Sequence, residues 1–311
     1  MSFHDRVFIL GSGAIGLALA VHLVNQNREV ILVRTSRDDV SEKKTEVSMR
    51  DVRGEIIKAS MNMVSLSKLE KLNGLIVITT KSYVNKMLAS KLLNKNINSP
   101  LVVMQNGLGV ENPFINNDFS EIYRCILFAT SQTLDENFIQ YKPIAPSSIG
   151  IIKGNSHNLQ KIVTLLDTPG FQFVIEENLQ DKIWQKAIIN SVFNSVCPLL
   201  EIDNGIFYRN EDVTRIATEI IKECLVIASA SGITLTADQL LQQVLKISEL
   251  SDGQFISTLQ DIKNKKETEI SLLNLEIARI AEKLELKTHV AKTELLGKLI
   301  LLKSEIHMQK V

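Results

Sequence analysis

Three glycines, Gly11, Gly13 and Gly16, follow the apolar run Val7-Phe-Ile-Leu10 without a gap, and helix-compatible residues run on from Ala14 to about Gln26. A second strand-like run, Glu29 to Arg34, comes next. Strand, tight turn, helix and strand in this order constrain the chain to a parallel α/β beginning. Each glycine answers a separate steric demand: Gly11 permits the turn, Gly13 lets the backbone approach a pyrophosphate, and Gly16 lets the helix lie close on the strand. The free N–H groups at the start of the helix suit phosphate oxygens. Gly11, Ser12, Gly13, Ala14, Ile15 and Gly16 are therefore the expected dinucleotide-binding segment. A glycine turn that only packs well must explain all three positions at once.

The end of the second strand separates the two nicotinamide cofactors. An acidic residue there would bind the ribose hydroxyls of NAD, whereas this chain has Arg34, with Arg37 nearby. A guanidinium offers a bidentate fork to a 2′-phosphate, so NADP (as NADPH) is the expected cofactor. The plainer alternative for Arg34 is an ordinary solvated arginine.

At 311 residues the chain is long enough for two domains. Zero formal net charge disfavours nucleic acid and membrane surfaces as partners, and 45% hydrophobic residues allow a sizeable core. Cys125, Cys197 and Cys224 are odd in number and lack CxxC spacing, so they read as buried thiols of a reducing compartment. The five histidines show no metal-ligand spacing, and no metal is expected. The run Val7 to Val24 superficially resembles a secretion signal, but cleavage after Ala20 would remove the first strand. With no transmembrane segment visible, a cytoplasmic protein is the expectation.

Strand-like runs recur at Leu75–Thr79 and Pro100–Met104, with a helix-like Val84–Leu93 between them. Such alternation implies parallel strands joined by right-handed crossovers. A hairpin is expected within 40–65, inserted at the sheet edge. Further strands are expected at Tyr123–Ser131, Ser148–Ile152 and Phe171–Ile175, with a helix at Ser156–Asp167. Beyond Glu176 the apolar spacing is helical throughout: Leu179–Leu200, Val213–Ala230, Ala237–Ile247, Thr268–Leu284 and a last helix. Breaks are expected at Pro198, Gly205, Gly232 and Gly253. The expected architecture is an N-terminal dinucleotide-binding α/β domain over 1–176 and an all-α domain over 177–311, with ligand bound where they meet.

Lys81 and Gln105-Asn106-Gly107 follow strands at the end of the sheet that faces a bound dinucleotide, so Lys81 and Asn106 are candidate cofactor or substrate contacts. Their plain alternatives are a solvated lysine and an Asn-Gly turn. In the helical half, Lys186, Asn190 and Asn194 recur every four residues and share one helix face among apolar neighbours. Such a face ordinarily meets water. Two mid-helix asparagines are poor helix formers, however, and burying them demands partners, so a ligand or a polar network is expected there. Ser257 is either a site residue or a plain helix cap, and Glu269 either a site residue or one more surface charge; spacing alone does not choose.

Taken in order and spacing, the GSGAIG turn, Arg34, Lys81, Gln105-Asn106-Gly107, Trp184-x-Lys186-x3-Asn190-x3-Asn194, Ser257 with Asp261, and Thr268-Glu269-Ile270 make the chain resemble the ketopantoate reductase family over nearly its full length. That resemblance implies a Rossmann-type NADP-binding domain followed by a helical substrate domain. It also implies NADPH-dependent reduction of a 2-oxo acid to a 2-hydroxy acid, ketopantoate above all. Lys186 would be the general acid, with Glu269 supporting it and touching substrate and cofactor. Asn190, Asn194, Ser257 and Asn106 would contact substrate, and Arg34, Lys81 and Asn106 the cofactor. Two departures touch the substrate end: Ser271 and Leu275 stand where the family usually has Asp and Gly. A different oxo acid or an imine is therefore the alternative substrate, and a non-catalytic NADP(H) sensor the alternative class. A homodimer is left open, because an amphipathic helix can bury its stripe against a second copy as well as internally.

Overall fold

The computed structural model describes residues 4–36, 41–95 and 98–309. The chain divides into two compact units. The first holds residues 1–105 and 110–179, and the second holds 106–109 and 180–311.

The first unit is built on an eleven-stranded sheet of order β11-β10-β7-β6-β5-β1-β2-β4-β3-β9-β8. In chain order its elements are β1 (Val7–Leu10), α1 (Ala14–Val24), β2 (Val30–Arg34), β3 (Lys43–Arg50), β4 (Ile56–Ser65), β5 (Leu75–Ile78), α2 (Asn85–Leu93), β6 (Leu101–Val103), α3 (Asn112–Ile115), β7 (Ile122–Ile126), β8 (Ala129–Asp135), β9 (Phe138–Pro143), β10 (Ser147–Lys153), α4 (Ser156–Leu166) and β11 (Phe173–Ile175). The strands β7, β6, β5, β1, β2 and β4 run parallel to one another. Every residue of β1, β5 and β6 is buried, as expected of strands covered on both faces. On one face, α1 packs Leu17, Leu19, Val21 and Leu23 into a core shared with Ile9, Met49, Met63 and Phe171. Burying one such side chain contributes about 1.5–3 kcal/mol, so this unit has ample driving force.

Three antiparallel pairings depart from the purely parallel expectation: β3 with β4, β8 with β9, and β10 with β7. The expected hairpin within 40–65 is β3–β4, but it is not the outermost piece, because β9 pairs onto β3 and carries β8 beyond it. The single strand expected over Tyr123–Ser131 is two strands, β7 and β8. No residue of β8 is buried, so no apolar run announces it; pairing with β9 supplies its hydrogen bonds instead.

The second unit is helical: α5 (Leu179–Leu200), α6 (Ile206–Arg209), α7 (Glu211–Ala230), α8 (Ala237–Leu250), α9 (Ser257–Lys263), α10 (Asn274–Lys283) and α11 (Ala291–Gln309), with short 3-10 turns at Ile270–Leu272 and Lys287–Val290. Two expectations are corrected. Pro198 does not end α5 but lies inside its last turn, where it cannot give the Asn194 carbonyl the usual helical N–H, and the helix stops two residues later. Thr268–Leu284 is not one helix: Leu273, with φ −117° and ψ −104°, separates the 3-10 turn from α10.

Candidate active site

The glycine turn shows what each position requires. Gly11 has φ +120°, a left-handed value, and a Cβ there would lie 2.7 Å from the Thr80 nitrogen. A Cβ on Gly16 would lie 2.2 Å from the Gly11 carbonyl oxygen. Neither position can take a side chain. Beside Gly13, by contrast, no protein atom lies within 4 Å of such a Cβ. The protein therefore packs against the first and third glycines and leaves the space beside the second open. Gly13 is also the N-cap of α1, it makes no side-chain cap, and the first turn holds no acidic residue. The donors at that helix end are available to an anion.

Thr79 pins the turn from below, its hydroxyl shared between the carbonyl oxygens of Leu10 (3.2 Å) and Gly11 (3.0 Å). Sequence reading passed over Thr79 because it reads as an ordinary strand residue. Lys81 follows the same strand two residues later and is half-buried. At the end of β2, Arg34 is half-buried and its Nε donates to the Met63 sulfur on β4 at 3.1 Å. That contact steadies the guanidinium stem. Arg37 lies outside the described residues.

A buried amide clasp follows. Asn85 and Gln105 exchange hydrogen bonds through both carboxamides (2.7 and 2.8 Å), Gln105 Nε2 also donates to the Thr80 carbonyl (2.7 Å), and Asn85 Nδ2 also donates to the Val110 carbonyl (2.8 Å). Both ends of the 106–109 segment are thereby fixed. The interior of that segment belongs to the second unit: the Leu108 N–H donates to Leu272 O at 2.8 Å, and a Cβ on Gly107 would lie 2.7 Å from Leu272 Cβ. Leu272 in turn donates its N–H to the Glu269 carbonyl, so Asn106 enters beside the turn that carries Glu269. Sequence spacing alone gave no hint of this neighbourhood.

On α5 the polar face is not a solvated one. Lys186 and Asn190 are half-buried, and Asn194 is buried. Thr258 donates its hydroxyl to Asn194 Oδ1 at 2.7 Å, while Asn194 Nδ2 donates to the Asn190 carbonyl at 2.8 Å. Both ends of the Asn194 amide thus meet protein, and one N–H proton is left over. The partner, Thr258, is buried, whereas the neighbouring Ser257 is exposed. Ser257 is also not the cap of α9; Ile256 holds that position.

The two departures from the family pattern behave differently. Leu275 packs onto α11 at Gly297, where a Cβ would lie 2.8 Å from Leu275 Cδ2. Its bulk is absorbed by a glycine of the same unit. The Ser271 carbonyl accepts from Arg279 at 2.8 Å. Burial pushes the thiols of Cys197 and Cys224 up to about 12, so neither is a nucleophile at neutral pH. Among the described residues there is no cluster of three His, Cys, Asp or Glu able to hold a metal, and no helix is long and apolar enough to cross a membrane.

Comparison with known proteins agrees with these two halves. Residues 7–149 match the family model described as "Ketopantoate reductase PanE/ApbA", and residues 178–300 match "Ketopantoate reductase PanE/ApbA C terminal". The chain belongs to the ketopantoate reductase family. Among its relatives, 2-dehydropantoate 2-reductase of Pyrococcus horikoshii is 26% identical over 289 residues, 91% of this chain and 92% of that protein. The enzyme of the same name from Streptococcus pyogenes serotype M6 is 24% identical over 291 residues, 91% and 93% of the two chains. Solved structures share the fold. A D-mandelate dehydrogenase in a ternary structure with NADH and anilino(oxo)acetate superposes with TM-score 0.85 at 20% identity, covering 97% of this chain and 99% of that one. The dimeric ketopantoate reductase of Staphylococcus aureus does so with TM-score 0.80 at 17% identity, with the same coverage.

Proposed function

We propose that this protein reduces a 2-oxo acid to the corresponding 2-hydroxy acid with NADPH, and that ketopantoate is its substrate. The observation that carries the reading is the glycine turn: closed to any side chain at Gly11 and Gly16, open at Gly13, and set on an uncapped helix N-terminus. The substrate class rests on membership of the ketopantoate reductase family across both halves of the chain.

The backbone from Ser12 to Ile15 would hold the pyrophosphate, and Arg34 the 2′-phosphate that distinguishes NADPH from NADH. Lys81 and Asn106 would complete the cofactor contacts, Asn106 also reaching substrate. When bound, the nicotinamide supplies a hydride to the carbonyl carbon. Negative charge then develops on the carbonyl oxygen. The Lys186 ammonium stabilises that charge and donates the proton that completes the hydroxyl, as general acid. Glu269 holds the substrate hydroxyl and keeps Lys186 oriented. Asn190 and Ser257 bind the rest of the substrate, and Asn194 gives its one remaining N–H while its other bonds fix the helix face.

The test is NADPH and NADH oxidation with ketopantoate beside 2-oxo acids of increasing size. NADPH with ketopantoate is expected to give the highest kcat/KM, and Arg34→Ala is expected to weaken NADPH roughly tenfold or more while leaving NADH nearly unchanged. Equal loss with both cofactors would remove Arg34 from the phosphate site. NADPH binding without turnover of any oxo acid would favour a sensor. A second substrate reading has its own support: the mandelate dehydrogenase likeness together with Ser271 favours a bulkier, aryl-bearing 2-oxo acid, and preference for such a substrate would replace ketopantoate.

A further inference from the structure

Arg34 ends β2, and the neighbouring strand sets its surroundings. β2 and β4 pair in parallel with Leu32 opposite Met63 and Arg34 opposite Ser65, so these four side chains share one face of the sheet. Met63 and Ser65 are fully buried, and Arg34 is half-buried. The arginine leans back across the strand pair to the residue diagonal to it: its Nε donates to the Met63 sulfur at 3.1 Å. Among the described residues neither Nη atom has a protein acceptor. A guanidinium can take two oxygens at once along its Nε–Nη edge or along its Nη1–Nη2 edge. With Nε engaged by sulfur, the end-on pair is the edge that remains. The kind of acceptor matters as much as its place. A carboxylate on Nε would fix the side chain equally well but would cancel the charge that attracts a phosphate. A thioether is a neutral, weak acceptor, so it orients the group and leaves its charge intact.

We propose that Met63 is a positioning residue for cofactor selection, holding Arg34 so that its Nη1–Nη2 edge meets the 2′-phosphate of NADPH end-on. The inference rests on the reading of Arg34 as the 2′-phosphate contact. A free arginine gives up much rotamer freedom when it binds; one already tethered gives up less, and affinity gains by the difference. NADH has a hydroxyl at that position, so the gain falls on NADPH alone and emerges as discrimination between the two cofactors. Met63 is also part of the apolar core of the first unit. Replacing it by leucine keeps the volume and the apolar contacts of this buried position while removing the acceptor.

Fluorescence titration of the full protein with NADPH and with NADH reads the effect directly, without any oxo acid. Met63→Leu is expected to weaken NADPH binding about three- to tenfold and to change NADH binding less than about twofold. In an Arg34→Ala background the same substitution is expected to change neither, because Met63 acts through the arginine. Met63→Gln, which sets a carboxamide oxygen in place of the sulfur, is expected to bring the preference for NADPH back. Should a buried glutamine unfold the protein, methyl-labelled methionine gives a second reading by NMR. The Met63 signal, identified by its absence from the leucine variant, is expected to move further with NADP+ than with NAD+. Equal weakening of both cofactors by Arg34→Ala defeats the phosphate reading, and the role of Met63 with it. Selective loss at Arg34→Ala with none at Met63→Leu overturns the positioning role alone. A loss at Met63→Leu that persists without Arg34 places the effect in packing and overturns it too, as does a folded glutamine variant that stays at the leucine level or a Met63 signal that answers both dinucleotides alike.

Discussion

The glycine turn of the first unit and the polar face of α5 in the second unit were equally prominent as patterns, yet their residues are fixed by different physics. In the turn, what each position tolerates is set by backbone within a few ångströms: the Gly11 carbonyl excludes a Cβ at Gly16, and Thr79 and Thr80 exclude one at Gly11. On α5, what Asn194 does is set by a hydroxyl 64 residues away in sequence, that of Thr258. The first kind of constraint is local and can be read from spacing. The second belongs to packing, and spacing only reveals that some partner is needed.

The largest effect expected from breaking this contrast is at Lys186, whose role no local rule fixes. Lys186→Met is expected to lower turnover about 100- to 10,000-fold while NADPH affinity is kept, as read by single-turnover kinetics beside cofactor titration. An active methionine variant would take Lys186 out of the chemistry. Next comes the turn itself. Gly16→Ala is expected to destabilise the protein by about 3 kcal/mol in urea unfolding, since backbone must move to admit the methyl group, whereas Gly13→Ala unfolds like the wild type and loses cofactor affinity instead. Equal stability losses at the two positions would contradict the sterics.

His22 sharpens the comparison from inside the first unit, because it sits on the same helix as the turn but its state is decided by tertiary packing. Its ring meets Tyr141 and Phe171 edge-on at 5.3 and 6.1 Å, Nε2 is buried, and burial lowers its pKa from 6.5 to about 4. A depressed histidine means that the unfolded chain takes a proton the folded chain refuses. Stability from this group is therefore full above the unfolded value and is lost as pH falls toward the folded one. Between about pH 7.5 and about pH 5 the loss is about 2 kcal/mol, a slope that His22→Leu is expected to remove from urea unfolding measured across that range. Parallel pH profiles for the two proteins would show that the ring is not shielded.

The smallest effect probes the α5 partner directly. A double-mutant cycle of Asn194→Leu and Thr258→Val is expected to give a coupling of about 1 kcal/mol in thermal or urea unfolding. Zero coupling would mean that Asn194 is held by something other than Thr258 and has its amide available for substrate.

Elements differ in the same way. The central strands β1, β5 and β6 were legible because burial on both faces leaves an unbroken apolar run. The hairpin β8–β9 was not, because β8 exposes most of its side chains and exists through its pairing with β9, which in turn lies on β3. Pro198 and Leu273 misled for opposite reasons: the helix runs two residues past the proline despite the lost N–H, and an ordinary leucine takes a helix-breaking conformation. The Asn85–Gln105 clasp and the route of 106–109 into the second unit left no periodic trace at all.

By itself the sequence determined the parallel α/β beginning, the helical second half and the tight glycine turn between the first strand and the first helix, because steric demands on glycine and the burial of apolar runs act between near neighbours. Only the tertiary structure decided that Thr258 satisfies Asn194, that Gly297 receives Leu275, and that Asn106 enters beside the Glu269 turn. Those contacts join residues far apart in the chain, and a hydrogen bond or a close packing contact depends on positions in space that composition and period do not encode.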